Sequence, residues 1–324
     1  MPPLSNSISQ VPQEVFETYI VEKLYKENPH LGLAFNESDR VLGGAVVHIP
    51  QAGKGTEAQK NRKVFPAVAV QRKDTMISYP LDVWSTDPDH ITWHEGAEIS
   101  YDKTDSVLSD HVGGLIEALG DNMLYNWIYG YKKDATGGYV SDIIPVSNRI
   151  STTGAATDVN PIDGQTGQRK AFSYKDLQTA QAMMDKQSVS KLNRYAILES
   201  YMKQQFIDSL SQNQMAAFQQ SADLSKGIIG TFAGFQILDR SSVLAFASDG
   251  TPLVPGQALS ATDNLACFCW QKDSVAIAKG DIVNFERLKD PLYYGDIFSA
   301  LVKFGGRCRR EDWKGVIAIL QGTV

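Results

Sequence analysis

Between Val107 and Trp127 the apolar residues Val107, Leu108, Val112, Leu115, Ile116, Leu119, Met123 and Trp127 recur at steps of mostly three and four. That spacing lays a single stripe along a helix opening near Thr104 or Asp105, roughly 24 residues and about 36 Å long. Gly113, Gly114 and Gly120 weaken it locally and, being small, allow close backbone approach. Before this helix the period changes to two. Thr75, Ile77, Tyr79, Leu81 and Val83 fall on one face of an extended run, and Pro80 inside it marks an edge or bulged strand. Further upstream, residues 43–50 and Ala67-Val68-Ala69-Val70 have strand composition. They flank a polar stretch, 51–63, containing Gly53, Lys54, Gly55, Lys60, Arg62 and Lys63. Together these predict a long hairpin whose tip has no core of its own.

The other elements are shorter. Phe16, Tyr19, Ile20 and Leu24 predict a helix in an N-terminal arm, ending near Asn28 because Pro29 disfavours helix in the residue before it. Ser173 with Asp176 forms a capping box for a helix through Leu177, Ala180 and Met184. A strand at 195–198 precedes a helical pattern through Met202, Phe206 and Leu210. Strands are predicted at 234–238, 265–270, 297–304 and 316–320, with a linker at 251–256 and a short helical piece at 274–278. Residues 151–167 have turn composition and predict a surface loop. The class is α+β, without repeats or low-complexity tracts.

Composition narrows the function classes. At 324 residues and 43% hydrophobic, the chain can bury a core without disulfides or metal. A net charge of -6 argues against a protein that grips nucleic acid through many phosphate contacts, while permitting a wall that faces DNA. The three cysteines, Cys267, Cys269 and Cys308, form no even framework and read as reduced thiols of a cytosolic chain. The first 20 residues have neither a basic nor an apolar signal region, and no window is apolar enough to span a bilayer.

Candidate chemistry fails on inspection. Around Lys54, a phosphate loop would need glycine where His48 stands and a hydroxyl where Gly55 stands. His90, His94 and Glu98 would share a helical face suited to zinc, the basis of a metal-dependent hydrolase. Asp87-Pro88 and Gly96 interrupt that helix, so they read as structural or surface residues. Asp158, Asn160, Asp163 and Gly164 suggest a calcium loop, but Ile162 and Arg169 occupy two of its ligand positions. Alternation on a strand points Cys267 and Cys269 to one face, as small core residues. The chain has no nucleophile elbow, catalytic cysteine signature or dinucleotide fingerprint. Arg307, Arg309 and Arg310 read as a solvated or intersubunit face. No catalytic, cofactor-binding or metal residue is assigned.

The order of segments resembles the major capsid proteins of tailed bacteriophages, the Hong Kong 97-type shell fold. Four stretches carry the likeness: Thr75 through Tyr101-Asp102-Lys103 into the long helix; Asn193-Arg194-Tyr195-Ala196-Ile197-Leu198; Gly234-Phe235-Gln236-Ile237 leading to Arg240-Ser241; and Asp290-Pro291-Leu292-Tyr293-Tyr294-Gly295-Asp296 followed by Arg309-Arg310 and Gly315-Val316. The resemblance extends over most of the chain from about residue 40. It implies an N-terminal arm at 1–40, an extended hairpin at 41–86 and a peripheral domain with its spine helix at 87–150. An axial domain at 151–262 and returning strands at 263–324 complete the expected plan. The implied partners are copies of itself in hexamers and pentamers, portal and scaffolding proteins, optional cementing proteins and weakly contacted double-stranded DNA, with no membrane. The implied location is the virion, with assembly in the host cytoplasm. The alternatives are an encapsulin-like compartment shell, a minor virion component, and the histidine-based hydrolase.

Overall fold

A computed structural model describes residues 24, 27–42, 46–51, 60–63, 71, 72, 74–92, 103–133, 139–159, 164–223 and 226–324. Among them, the strands form two large sheets and three small ones. The central sheet runs Gly230–Phe232, Phe235–Arg240, Arg194–Glu199, Asn264–Gln271, Val316–Leu320, Arg149–Ser151, with Leu244–Phe246 also on Asn264–Gln271. Its inner strands are covered on both faces, which is why they read as continuous apolar runs instead of alternating ones. Tyr195, Ile197, Phe268, Trp270, Val316 and Ala318 point into one core with the long helix. Ala196, Leu198, Cys267, Cys269, Ile317 and Ile319 point into a second.

That second core is closed by helices Tyr174–Lys186, Ser200–Ser209 and Gln212–Gln220. The predicted capping box is formed: Ser173 N–H donates to Asp176 Oδ2 at 2.8 Å, and Leu177, Ala180 and Met184 are buried. The last of these helices was not anticipated, although Ser211 with Gln214 is the same box signature. The last two helices form the crossover between Arg194–Glu199 and Phe235–Arg240, a parallel pair that no tight turn could join.

The long helix spans Lys103–Ile128, 26 residues, two beyond the predicted length. Val112, Leu115, Ile116, Leu119, Met123 and Trp127 are buried as the stripe requires, while the side chains of Val107 and Leu108 lie outside the described set. Its glycines divide. A Cβ at Gly120 would collide with Asn28, whereas Gly113 and Gly114 have open space where a Cβ would stand. Close approach is therefore confined to Gly120, where the chain before Pro29 crosses the helix. Asn28 N–H donates to Leu24 O at 2.9 Å, the last helical bond before Pro29 opens a new turn, Pro29–Gly32. The rest of the predicted arm helix lies outside the described residues.

Beside the helix lies a ribbon of two long antiparallel strands, Val275–Asp290 and Gly295–Cys308. The predicted helical piece at 274–278 is instead the start of this ribbon. Val275, Ala276, Ile277 and Ala278 are all buried, so pairing on both sides overrides a pattern without alternation. Phe35–Asn36 and Asp82–Ser85 extend the sheet on either side, and Asp89–Thr92 pairs near its far end. The half of the ribbon nearest the central sheet is buried, while residues 285–289 and 291–294 are exposed.

The upstream hairpin is present but its described partner differs from the expected one. Val46–Gln51 pairs with Thr75–Pro80, from Val46 opposite Pro80 to Gln51 opposite Thr75. Residues 67–70 and most of the tip lie outside the described residues. Thr75–Pro80 is an edge strand, as Pro80 requires. Ile77, Tyr79 and Leu81 share a buried face, but Val83 is 58% exposed because the chain leaves one sheet at Leu81 and joins another at Asp82. The hairpin base is also not without a local core: Val47, Ile49, Ile77, Tyr79 and Leu81 pack against Ala278 of the ribbon. Residues 151–167 hold a strand, Ala156–Asp158, paired with Gln168–Lys170, where only a loop was expected. Tyr129–Lys133 and Tyr139–Ile143 form a small sheet that no sequence signal announced.

Candidate assembly surface

The basic run near the C-terminus does not form a solvated face as a unit. Arg307 is buried on the ribbon; its Nη2 donates to Asp142 Oδ2 at 2.9 Å and its Nη1 to the Tyr131 carbonyl. This ties the small sheet to the ribbon. Arg309 lies over the Phe35 ring at 4.0 Å and donates from Nε to Glu37 Oε1 at 2.9 Å. Glu37 is 1% exposed and also accepts from the Tyr79 hydroxyl at 3.5 Å. Burial, reinforced by this carboxylate, pushes the Tyr79 phenol well above its usual range. Gln51 Nε2 donates to the Arg309 carbonyl at 2.6 Å. Residues 35–37 and the hairpin base thus converge on Arg309: its planar fork stacks on Phe35 and pairs with Glu37 at once, and its carbonyl receives Gln51. Only Arg310 fits the solvated reading, paired with Asp312 at 2.9 Å on the surface. Sequence alone could not choose between these environments, because all three arginines sit in one short run.

A second clamp holds the segment around Asn28 to the long helix. Asn28 Nδ2 donates to the Ile116 carbonyl at 2.9 Å, and Arg240 bridges Asn28 Oδ1 and Asp121. His30 is buried beside it, with Nε2 3.2 Å from the Gly120 carbonyl.

The remaining sequence candidates are dispersed or lie elsewhere. His90 sits on the strand Asp89–Thr92, its ring 5.7 Å from that of Tyr293, while His94 and Glu98 lie outside the described residues. Of the calcium-like loop, Asp158 and Gly164 are described and residues 160–163 are not. Cys267 and Cys269 share one buried face as alternation requires, and Cys308 is buried on the ribbon. Burial pushes the Cys308 thiol up to about 12 and those of the other two well up, so none is a ready thiolate. Among the described residues no three His, Cys, Asp or Glu side chains cluster to hold a metal. Nor is any described helix long and apolar enough to cross a membrane.

The surface is distinctive in another way. The turn joining the ribbon strands exposes Leu292, Tyr293 and Tyr294 at 75, 53 and 79%. Phe285 and Leu288 are exposed on the same half of the ribbon, and Met76 on the hairpin edge. Large apolar side chains gathered in the open on one half of the ribbon are the kind of surface that marks an interaction site.

A long helix laid along an extended ribbon, a hairpin rooted beside it and a second core behind a doubly covered sheet define a Hong Kong 97-type capsid fold. Solved structures with this architecture include the capsid asymmetric unit of cyanophage Pam1, with a TM-score of 0.62 at 10% identity over 89% of this chain and 88% of that one. The capsid of Ralstonia phage GP4 gives 0.60 at 14% identity over 90% and 87%. That of cyanophage P-SCSP1u gives 0.56 at 15% identity over 89% and 86%. No curated protein matches the chain. The family model described as phage capsid protein matches residues 121–319, and the chain belongs to that family. It is a major capsid protein: a structural component of the virion that associates with copies of itself to form a phage shell.

Proposed function

We propose that this subunit builds the icosahedral shell of a tailed phage as hexamers and pentamers, enclosing double-stranded DNA that it contacts weakly. The observation that supports this best is the exposed far half of the ribbon, which presents Phe285, Leu288, Leu292, Tyr293 and Tyr294 away from both cores. A permanent assembly would bury such surface, on the order of thousands of Å² per subunit. In this reading residues 1–40 are an arm and 41–86 a hairpin crossing between subunits. Residues 87–150 form a peripheral domain and 151–262 an axial one, with 263–324 completing both. The subunit is not an enzyme. A separate scaffolding protein and a portal complete the assembly in the host cytoplasm, with cementing proteins as an optional addition.

Electron microscopy of the purified protein, expressed alone and then with its neighbouring phage proteins, tests the reading. Closed, uniform shells or six- and fivefold capsomers are expected. A monodisperse monomer under both conditions would overturn it.

A further inference from the structure

At the root of the hairpin, a cavity of about 440 Å³ opens between the edge strand, the end of the long helix and the small sheet. Its walls include Tyr79, Pro80, Tyr129 and Tyr131, with Arg307 among the lining residues and Asp82 on the strand beside it. Tyr125, Tyr129 and Tyr131 form a continuous aromatic ladder: the Tyr129 ring stacks on Tyr125 at 5.1 Å and meets Tyr131 edge-on at 5.5 Å. Tyr131 is 53% exposed, so the apolar surface continues outward from the cavity. The Asp82 carboxylate hydrogen-bonds Asn126 at 3.3 Å and forms no ion pair among the described residues.

The turn at the other end of the ribbon has complementary chemistry. Leu292 and Tyr294 project, and beside them the exposed Lys289 forms no ion pair among the described residues. The turn is built, not loose. Leu292 N–H donates to Asp290 Oδ1 at 2.8 Å, Lys289 N–H donates to Asp296 Oδ1 at 2.7 Å, and Arg287 pairs with Asp290 at 2.5 Å. Lys289 and Tyr294 hold φ of 55° and 50°, left-handed values that L residues adopt at a cost and that persist where surroundings impose them. A preorganised knob of this kind loses little conformational entropy on docking.

Knob and cavity lie at opposite ends of the same strand, Gly295–Cys308. The 12 steps from Gly295 to Arg307 span about 40 Å at the usual strand rise. The turn therefore cannot reach the cavity of its own chain, and a second copy is the chain that can bring it there.

We propose that the Leu292–Tyr294 turn of one subunit inserts into the Pro80–Tyr129–Tyr131 cavity of the next, with Lys289 facing Asp82. Such a contact is heterologous, with knob and hole on different parts of the surface, so repeating it around an axis closes a ring. Buried tyrosines at the centre of a protein interface commonly dominate its affinity, and the charge pair sets register.

The inference rests on the shell-forming reading, and the test separates the two. Wild-type full-length protein that never assembles under the microscopy conditions overturns that reading, and this one with it. Assembled particles carrying both Tyr294→Cys and Tyr131→Cys are expected, after mild oxidation, to run as reducible multimers on a gel. Each single variant is expected to stay monomeric, since the three native cysteines are buried. A double variant that assembles yet stays monomeric overturns the proposal. So does cross-linking by Tyr294→Cys alone, which would mean that turns cluster with one another. Should the cysteine pair block assembly, charge reversal decides. Lys289→Asp and Asp82→Lys are each expected to lower particle yield about tenfold, and their combination to restore it. Equal yields throughout, or no restoration, overturn the contact.

Discussion

Glu37 is a carboxylate with almost no access to water, held by Arg309 at 2.9 Å and Arg40 at 3.6 Å. Removing its charge strands the Arg309 guanidinium over Phe35. Glu37→Gln is expected to cost about 3 kcal/mol, the range for breaking a buried pair from one side. The urea midpoint of the unassembled subunit measures it; a change below about 0.5 kcal/mol would mean that solvent replaces the carboxylate freely. His30 gives the residue scale a pH dependence. Burial, then the nearby Arg240, lowers its pKa from 6.5 to about 3, against the hydrogen bond to Gly120. Between those values the unfolded chain holds a proton that the folded chain does not. The neutral ring's contribution is thus complete above pH 6.5 and lost as pH falls toward 3, at up to about 1.4 kcal/mol per pH unit. His30→Gln is expected to flatten the stability profile between pH 7 and 5.5. Identical slopes in both proteins would remove His30 as the cause.

At the scale of elements, the contact between the long helix and the ribbon depends on Gly306. A Cβ there would strike Met123 Sδ and the Ala276 carbonyl oxygen, and would come within 3.3 Å of Trp127 Nε1. The indole N–H donates to that same carbonyl at 3.1 Å. Gly306→Ala is expected to destabilise by about 1–3 kcal/mol through overpacking. Gly114→Ala, with nothing within 4 Å of the new methyl, is expected to stabilise the isolated subunit by about 0.5–1 kcal/mol through helix propensity. Urea unfolding of the two variants should shift in opposite directions; a shared sign would contradict the packing argument. The glycines looked equivalent in sequence. What distinguishes them is the neighbour each meets, and that neighbour comes from another part of the chain.

At the scale of the whole molecule, the hairpin has two parts with different obligations. Its base is seated within the subunit, through Val47, Ile49, Ile77 and Tyr79 on Ala278 and through Gln51 on the Arg309 carbonyl. Deleting residues 52–63 spares all of these. The shortened subunit is expected to unfold at the wild-type urea concentration but to form no closed shells by electron microscopy. Normal shells from it would sink a role for the tip between subunits.

The periodicity of the apolar stripe set the long helix, and Ser173 with Asp176 set the start of another, because both signals are local to a few turns of chain. Alternation likewise placed Ile77, Tyr79 and Leu81 on one buried face and carried Cys267 and Cys269 into a core. The order of these elements was enough to suggest the capsid class. Tertiary structure decided what local pattern leaves ambiguous. Val275 to Ala278 became strand because two neighbours pair with it, and Val83 turned outward where the chain changed sheets. Arg307 and Arg309 became internal clamps because the acids that receive them, Asp142 and Glu37, lie 165 and 272 residues away in sequence. Such partners are chosen by folding, since a charge is buried only where a distant segment arrives to neutralise it.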